Sequence, residues 1–287
     1  MSEAKRHHYV PQFHLRRFCN DDGKLWVWDS KSDRVFPSDP AKVAAENQFY
    51  RLTQYEKYGH DPLTMEQQFS AMEGEASQIS AQWIQWLPEC RPGEKIAIPP
   101  MNRWIMARFL ALQVIRTLDM RELLSALLGL DKQGQLSDEE GREIHTEVLW
   151  NDQLVARITR RFENSIWIFA RIDTDVFLKT SDNPVLFRSA DNRQWLRSVV
   201  VVPEVYVCFN LSPKIVLYCY PKIRKFRNLE RFADSLSPVL LTREMVESEN
   251  SGQVFMSSRF VFSCEDNFML EKKFKSTIGA DINASNP

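Results

Sequence analysis

Hydrophobic positions are densest between Trp104 and Leu118, where Arg108, Gln113, Arg116 and Thr117 are the only polar side chains. A helix that is apolar on nearly every side is enclosed by other elements, so a central helix is expected over about 101–130. At about 100° per residue, Asn102, Gln113, Arg116 and Thr117 share one sector with Met106 and Phe109, giving a polar seam on a buried helix. Leu63, Phe69, Met72, Ile79, Trp83 and Trp86 recur at helical spacing over about 63–87, and Pro88 ends that run. Ser137, followed by Asp138, Glu139 and Glu140, supplies an N-cap and an acidic first turn for a third helix over about 137–162.

The flanking stretches have strand character. Runs at 25–28 and 34–36 flank a polar turn as a β-hairpin, a short helix opens at Pro40, and 48–52 reads as another strand. Beyond Asn164, apolar runs at 166–172, 176–180, 184–187, 198–202, 205–209 and 215–220 predict strands. Amphipathic segments at 228–236 and 242–249 precede strand-like runs at 254–256 and 259–263. The architecture expected is α+β in one integrated domain, 1–278, followed by a polar tail at 279–287. It comprises a small N-terminal β-rich element (1–60), a helical middle around the buried central helix (61–163) and a mainly antiparallel C-terminal sheet (164–278).

Composition narrows the classes. With 287 residues, 44% of them hydrophobic, the chain is long enough to bury a sizeable core. A formal net charge of −1 supplies no overall field toward nucleic acid or anionic membrane, so any basic surface is local. Cys19, Cys90, Cys208, Cys219 and Cys264 are odd in number and dispersed, which argues against a disulfide framework or a zinc knuckle and for a reducing cytoplasm. The N-terminus is charged, and no apolar run approaches the roughly 20 residues that span a bilayer, so neither export nor a membrane partner is expected.

Candidate chemistry concentrates at residues 7–18, where His7, His8 and His14 stand beside Lys5, Arg6, Arg16 and Arg17. Imidazole is the common metal ligand and the base suited to neutral pH, and arginine forks suit phosphate. Pro11 fits the start of a short helix that buries Leu15 and Phe18 and leaves His14 and Arg17 on a neighbouring face. The structural alternative makes this stretch a clasp fastened by hydrogen bonds and ring packing. A second cluster, Thr180, Ser181, Asp182 and Asn183 before Pro184, forms a tight turn through its own side chains. Alternatively it sets Asp182 at a strand end as metal ligand or acid/base, oriented by Ser181 or Asn183. The third is the Gln113/Arg116 seam. A buried guanidinium must be paired, either with Glu66 or Glu73 of the neighbouring helix or with a substrate phosphate.

His7, His8, Val10 and Pro11 resemble the His-His-aliphatic-aliphatic-Pro core of some His-Me finger (HNH-type) nucleases, with Tyr9 in place of an aliphatic residue. The resemblance implies His8 or His7 as general base and a divalent cation, Mg²⁺ or Mn²⁺, with Asn20, Glu46, Asn47 or His60 as further ligand candidates. The longer pattern is His7 to Phe18, Leu25 to Asp29, Ala45 to Tyr50, Gln113 to Thr117, Thr180 to Val185 and Leu211 to Pro213. In that order it resembles the bacterial family catalogued as domain of unknown function 4238, His14 departing where tyrosine is expected. That family name implies no reaction.

The leading expectation is a metal-dependent phosphodiesterase, a nuclease acting on DNA or RNA. Its base is His8 or His7, its metal ligands are Asp182, Glu46 and His14, and phosphate or substrate is held by Arg116, Gln113, Arg17, Ser181 and Asn183. The alternative is a non-catalytic nucleotide- or protein-binding regulatory protein.

Overall fold

The computed structural model describes residues 6–47, 49, 50, 59, 61, 64–131, 137–196 and 204–277. The strand expected at 198–202, most of that at 48–52, His60 and the tail at 279–287 lie outside them. At the N-terminal end, β1 (Arg6–His8) runs antiparallel to β4 (Ala45–Asn47), which sets His7 opposite Glu46. Between them lie α1 (Gln12–Arg16), the hairpin of β2 (Leu25–Asp29) and β3 (Arg34–Ser38), and a 3₁₀ turn at Pro40–Lys42 capped by Asp39. Pro11 stands just ahead of α1, and Leu15 and Phe18 are fully buried, as the spacing predicts.

The middle is helical: α2 (Thr64–Trp86), α3 (Pro100–Ile115), α4 (Leu118–Asp131), α5 (Asp138–Trp150) and α6 (Asp152–Glu163). Two of the long helices read from periodicity are each broken once, at polar residues. The one expected over 101–130 stops at Arg116, whose carbonyl accepts the Tyr50 hydroxyl at 2.9 Å, while Thr117 Oγ1 accepts the Met120 N–H as the next helix begins. The one expected over 137–162 breaks at Asn151, whose side chain accepts the Leu154 N–H at 2.9 Å and so caps α6. Ser137 and Glu140 form the capping box that opens α5.

The remainder supplies β5 (Ile166–Arg171), β6 (Thr180–Ser181), β7 (Val185–Ser189), β8 (Val205–Ser212) and β9 (Ile215–Tyr220). A 3₁₀ segment, Arg224–Phe232, precedes β10 (Ser235–Leu236), α7 (Arg243–Met256), β11 (Phe260–Ser263) and α8 (Met269–Thr277). One sheet has the order β10-β5-β9-β8-β7, antiparallel except for the β10–β5 pair. A second, antiparallel throughout, has the order β3-β2-β11-β6. The C-terminal β region therefore divides, and one part completes the N-terminal hairpin. Residues 254–256, expected as a strand, form the last turn of α7. The Thr242 cap starts a helix there, and Val254 and Met256 continue its buried face.

The α+β class stands, and α3 is central to it: it packs against α2 and α6 and reaches the five-stranded sheet at β7. Alternation along the strands gives that sheet two different faces. Trp167 and Phe169 of β5 pack on Trp83 of α2, and Phe209 of β8 meets Phe109 of α3. Ile168, Tyr218 and Cys208 stand in register on the opposite face, with Tyr206 and Tyr220 two residues away along their strands. Among the described residues no helix is long and apolar enough to cross a membrane.

Candidate functional site

The three sequence clusters do meet, on the helical side of the five-stranded sheet. Arg116, at the end of α3, is 1% exposed. Its Nη1 lies 2.7 Å from Glu73 Oε1, its Nη2 donates to the His8 carbonyl at 2.6 Å, and its plane stacks 4.7 Å from the Phe69 ring centre. Burial alone would lower its pKa, but Tyr50 and Glu73 outweigh that and hold it above the ordinary arginine value. One turn earlier, Gln113 Nε2 donates to the Tyr9 carbonyl at 2.9 Å. The polar seam thus grips the backbone of residues 8 and 9, and Glu73, one of the two structural partners anticipated, holds the charge.

The histidines are placed by the same packing. His7 is fully buried beside Tyr50, 6.0 Å between ring centres, and its Nδ1 accepts the Tyr50 backbone N–H at 3.0 Å. In the neutral ring that fixes the proton on Nε2, a donor rather than a base. His8 is half-buried with Nδ1 3.4 Å from Gln12 Nε2. His14 sits between Phe18 and Phe209, with Nε2 3.0 Å from Thr180 Oγ1; burial and the nearby Arg17 lower it to about 3. Arg17 donates to Ser77 O and Ser80 Oγ of α2 at 3.0 and 2.8 Å, and burial lowers its pKa to about 10.

Asp182 is 2% exposed, and both its oxygens are occupied. Oδ1 accepts the N–H of Ser258 at 2.9 Å, and Oδ2 accepts those of Arg259 and Phe260, each at 2.8 Å. Burial, the largest influence, lifts the carboxyl to about 7 against the pull of those three donors. Ser181 Oγ donates to Gln253 at 2.8 Å and accepts the Asn183 N–H, and Asn183 Nδ2 donates to Asp119 at 3.1 Å. Glu46 lies 3.5 Å from Arg121 and is 40% exposed.

The residues expected to hold a metal are thus engaged one by one in holding chain segments together. Among the described residues no three His, Cys, Asp or Glu side chains are grouped to hold a metal ion, so the expected set of Asp182, Glu46 and His14 does not assemble as a ligand sphere. Arg116 and Arg17, expected on phosphate, are likewise engaged with protein acceptors.

A second site, which sequence reasoning missed, opens on the far face of the same sheet. It is a cavity of about 480 Å³ bounded by β5, β7, β8 and β9, the 3₁₀ segment and α7, and Tyr206, Tyr218 and Tyr220 line it. Tyr206 and Tyr220 rings are 4.7 Å apart, and Tyr218 and Tyr220 5.8 Å. Glu249 of α7 is 4% exposed at its edge. Its Oε1 accepts the Tyr218 hydroxyl at 3.2 Å and lies 3.3 Å from Arg188 Nη1. No N–H or O–H reaches Oε2, and the adjacent Cys208 thiol is a weak donor. Burial raises the Glu249 pKa against Arg188's attraction. The available sequence signal was Tyr218 and Tyr220 at strand spacing, two tyrosines on one face of a strand otherwise apolar.

Fold and site together define an α+β chain with a polar clamp that ties distant segments together on one face of a sheet and a tyrosine-lined cavity on the other. The chain belongs to the family described as Protein of unknown function (DUF4238), whose profile matches residues 6–267, clamp and cavity included. No curated protein and no solved structure matches it, and the local likeness of residues 7–11 to His-Me finger nucleases finds no support in these comparisons.

Proposed function

We propose that this chain is a non-catalytic binding protein that takes its ligand in the tyrosine-lined cavity, while the histidine, arginine and aspartate clamp holds the fold. The observation that carries this reading is where the charges are spent. Arg116 is met by Glu73 and the His8 carbonyl, and Asp182 by three backbone N–H groups. Glu249 keeps a buried oxygen without an N–H or O–H partner and, unlike the clamp's own unpartnered atoms Arg116 Nε and Gln113 Oε1, it stands at the edge of a cavity of ligand size. The five cysteines are all unpaired, which supports a reducing, cytoplasmic setting.

The competing reading, a Mg²⁺- or Mn²⁺-dependent nuclease with His8 as base, draws on the closeness of His8 to Arg116. The two are separated by incubating the purified chain with DNA and RNA in each metal. Intact nucleic acid is the expected result; metal-dependent cleavage that disappears in His8→Ala overturns the binding reading.

A further inference from the structure

The walls of the cavity specify the chemistry of what fills it. Its charged lining residues are Arg188, Glu244 and Glu249, one cation against two carboxylates. Both terminal nitrogens of the cation are engaged: Nη1 faces Glu249, Nη2 donates to Asn192 O at 3.0 Å and Ser248 Oγ at 2.8 Å, and the guanidinium lies 4.6 Å from the Trp195 ring centre, which leaves only Nε without a partner. An anion entering here meets two carboxylates and an arginine whose charge is already paired with Glu249. A cation meets the opposite: a buried carboxylate with one oxygen that no N–H or O–H reaches, beside the weakly donating Cys208 thiol, and tyrosine rings whose π-systems attract positive charge. Ile168, Leu241 and Met245 make much of the remaining wall apolar.

We propose, on the binding reading above, that this cavity takes an organic amine, its ammonium group set against Glu249 and the tyrosine rings and its hydrocarbon body against the apolar wall. A neutral donor of the same shape gains the apolar contacts and one hydrogen bond but forfeits the charge, and a carboxylate is repelled. The geometry also supplies a plug. Met245 lines the cavity and is 44% exposed, so a larger side chain there has room to reach the mouth without disturbing the core.

The test is calorimetric titration of the full chain with benzylamine, benzyl alcohol and benzoate, three probes of one shape and different charge. Expected is saturable binding of benzylamine that Glu249→Gln weakens at least tenfold and Met245→Trp abolishes. Should Glu249→Gln fail to fold, Tyr220→Leu replaces it with the same expected weakening. Benzyl alcohol or benzoate binding as tightly as the amine, and blocked by Met245→Trp, overturns the amine assignment while the cavity reading stands. No saturable binding of any probe, or binding that Met245→Trp leaves untouched, overturns both.

Discussion

The guanidinium of Arg116 donates to the carbonyl of His8 at 2.6 Å across 108 positions of the chain, and Glu73 faces its other end at 2.7 Å. This is a structural clamp, since it joins the end of α3 to β1 and α2 through a buried guanidinium. Arg116→Met strands the Glu73 carboxylate and the His8 carbonyl, at a cost of roughly 3–5 kcal/mol. Urea unfolding checks it. Arg116→Met combined with Glu73→Leu is expected to recover much of that loss, because no charge is then left unpaired. A phosphate-binding arginine would instead lose function with stability unchanged.

Asp182 organises the turn that leads into β11. Asp182→Ala leaves the N–H groups of Ser258, Arg259 and Phe260 without acceptors, each worth roughly 1–3 kcal/mol when buried and unsatisfied. Hydrogen exchange is expected to quicken first at 258–260, ahead of global unfolding. Exchange that stays slow there would show that Asp182 is not the anchor.

His14 and His145 give the fold a titration signature. Each is lowered to about 3, chiefly by burial, against 6.5 for the free side chain. Between those values the unfolded chain binds more protons, so each contributes stability that is present above pH 6.5 and lost as pH falls. Asp182 and Glu66, both lifted to about 7 chiefly by burial, act in the opposite sense and flatten the overall curve. The measurement is therefore a difference: the stability gap between the wild type and His14→Gln narrows below pH 6.5, by up to about 1.4 kcal/mol per unit. A gap that is constant from pH 7 to 5 contradicts it.

Gly252 in α7 carries the indole of Trp195. A Cβ at this position would lie 2.7 Å from that ring, which also stacks on Arg188 and donates to Ser251 Oγ at 3.1 Å. Gly252→Ala is expected to cost about 1–3 kcal/mol through overpacking. The displaced indole changes the tryptophan emission, and Arg188 loses its stacking partner beside Glu249. Unchanged emission and stability would show the loop to be loosely held.

Much of the fold was legible from local pattern. The apolar run at 104–118 marked the core, Pro11 marked the start of α1, and strands at 166–171, 205–209 and 215–220 followed from their apolar runs, although the second continues to Ser212. What local pattern did not carry was partnership between distant segments. The break at Arg116 depends on a hydroxyl from Tyr50, and the two-sheet division depends on β11 pairing with β2. Val254, Phe255 and Met256 look like a strand unless the helix begun at Thr242 is known to run through them. In the candidate site, the buried guanidinium demanded a carboxylate, and Glu73 was among those anticipated. The cavity was not legible because its tyrosines become a site only when α7 brings Glu249 across the strands that carry them.

The pairing of β11 between β2 and β6 also imposes an order on biosynthesis. The hairpin of β2 and β3 emerges well before β11, so one edge of β2 stays unpaired until residues near 260 arrive. An open, apolar strand edge invites pairing with other chains. A ribosome stalled, or a protease acting, before that point therefore leaves a polypeptide with an adhesive edge rather than a smaller working version of the protein.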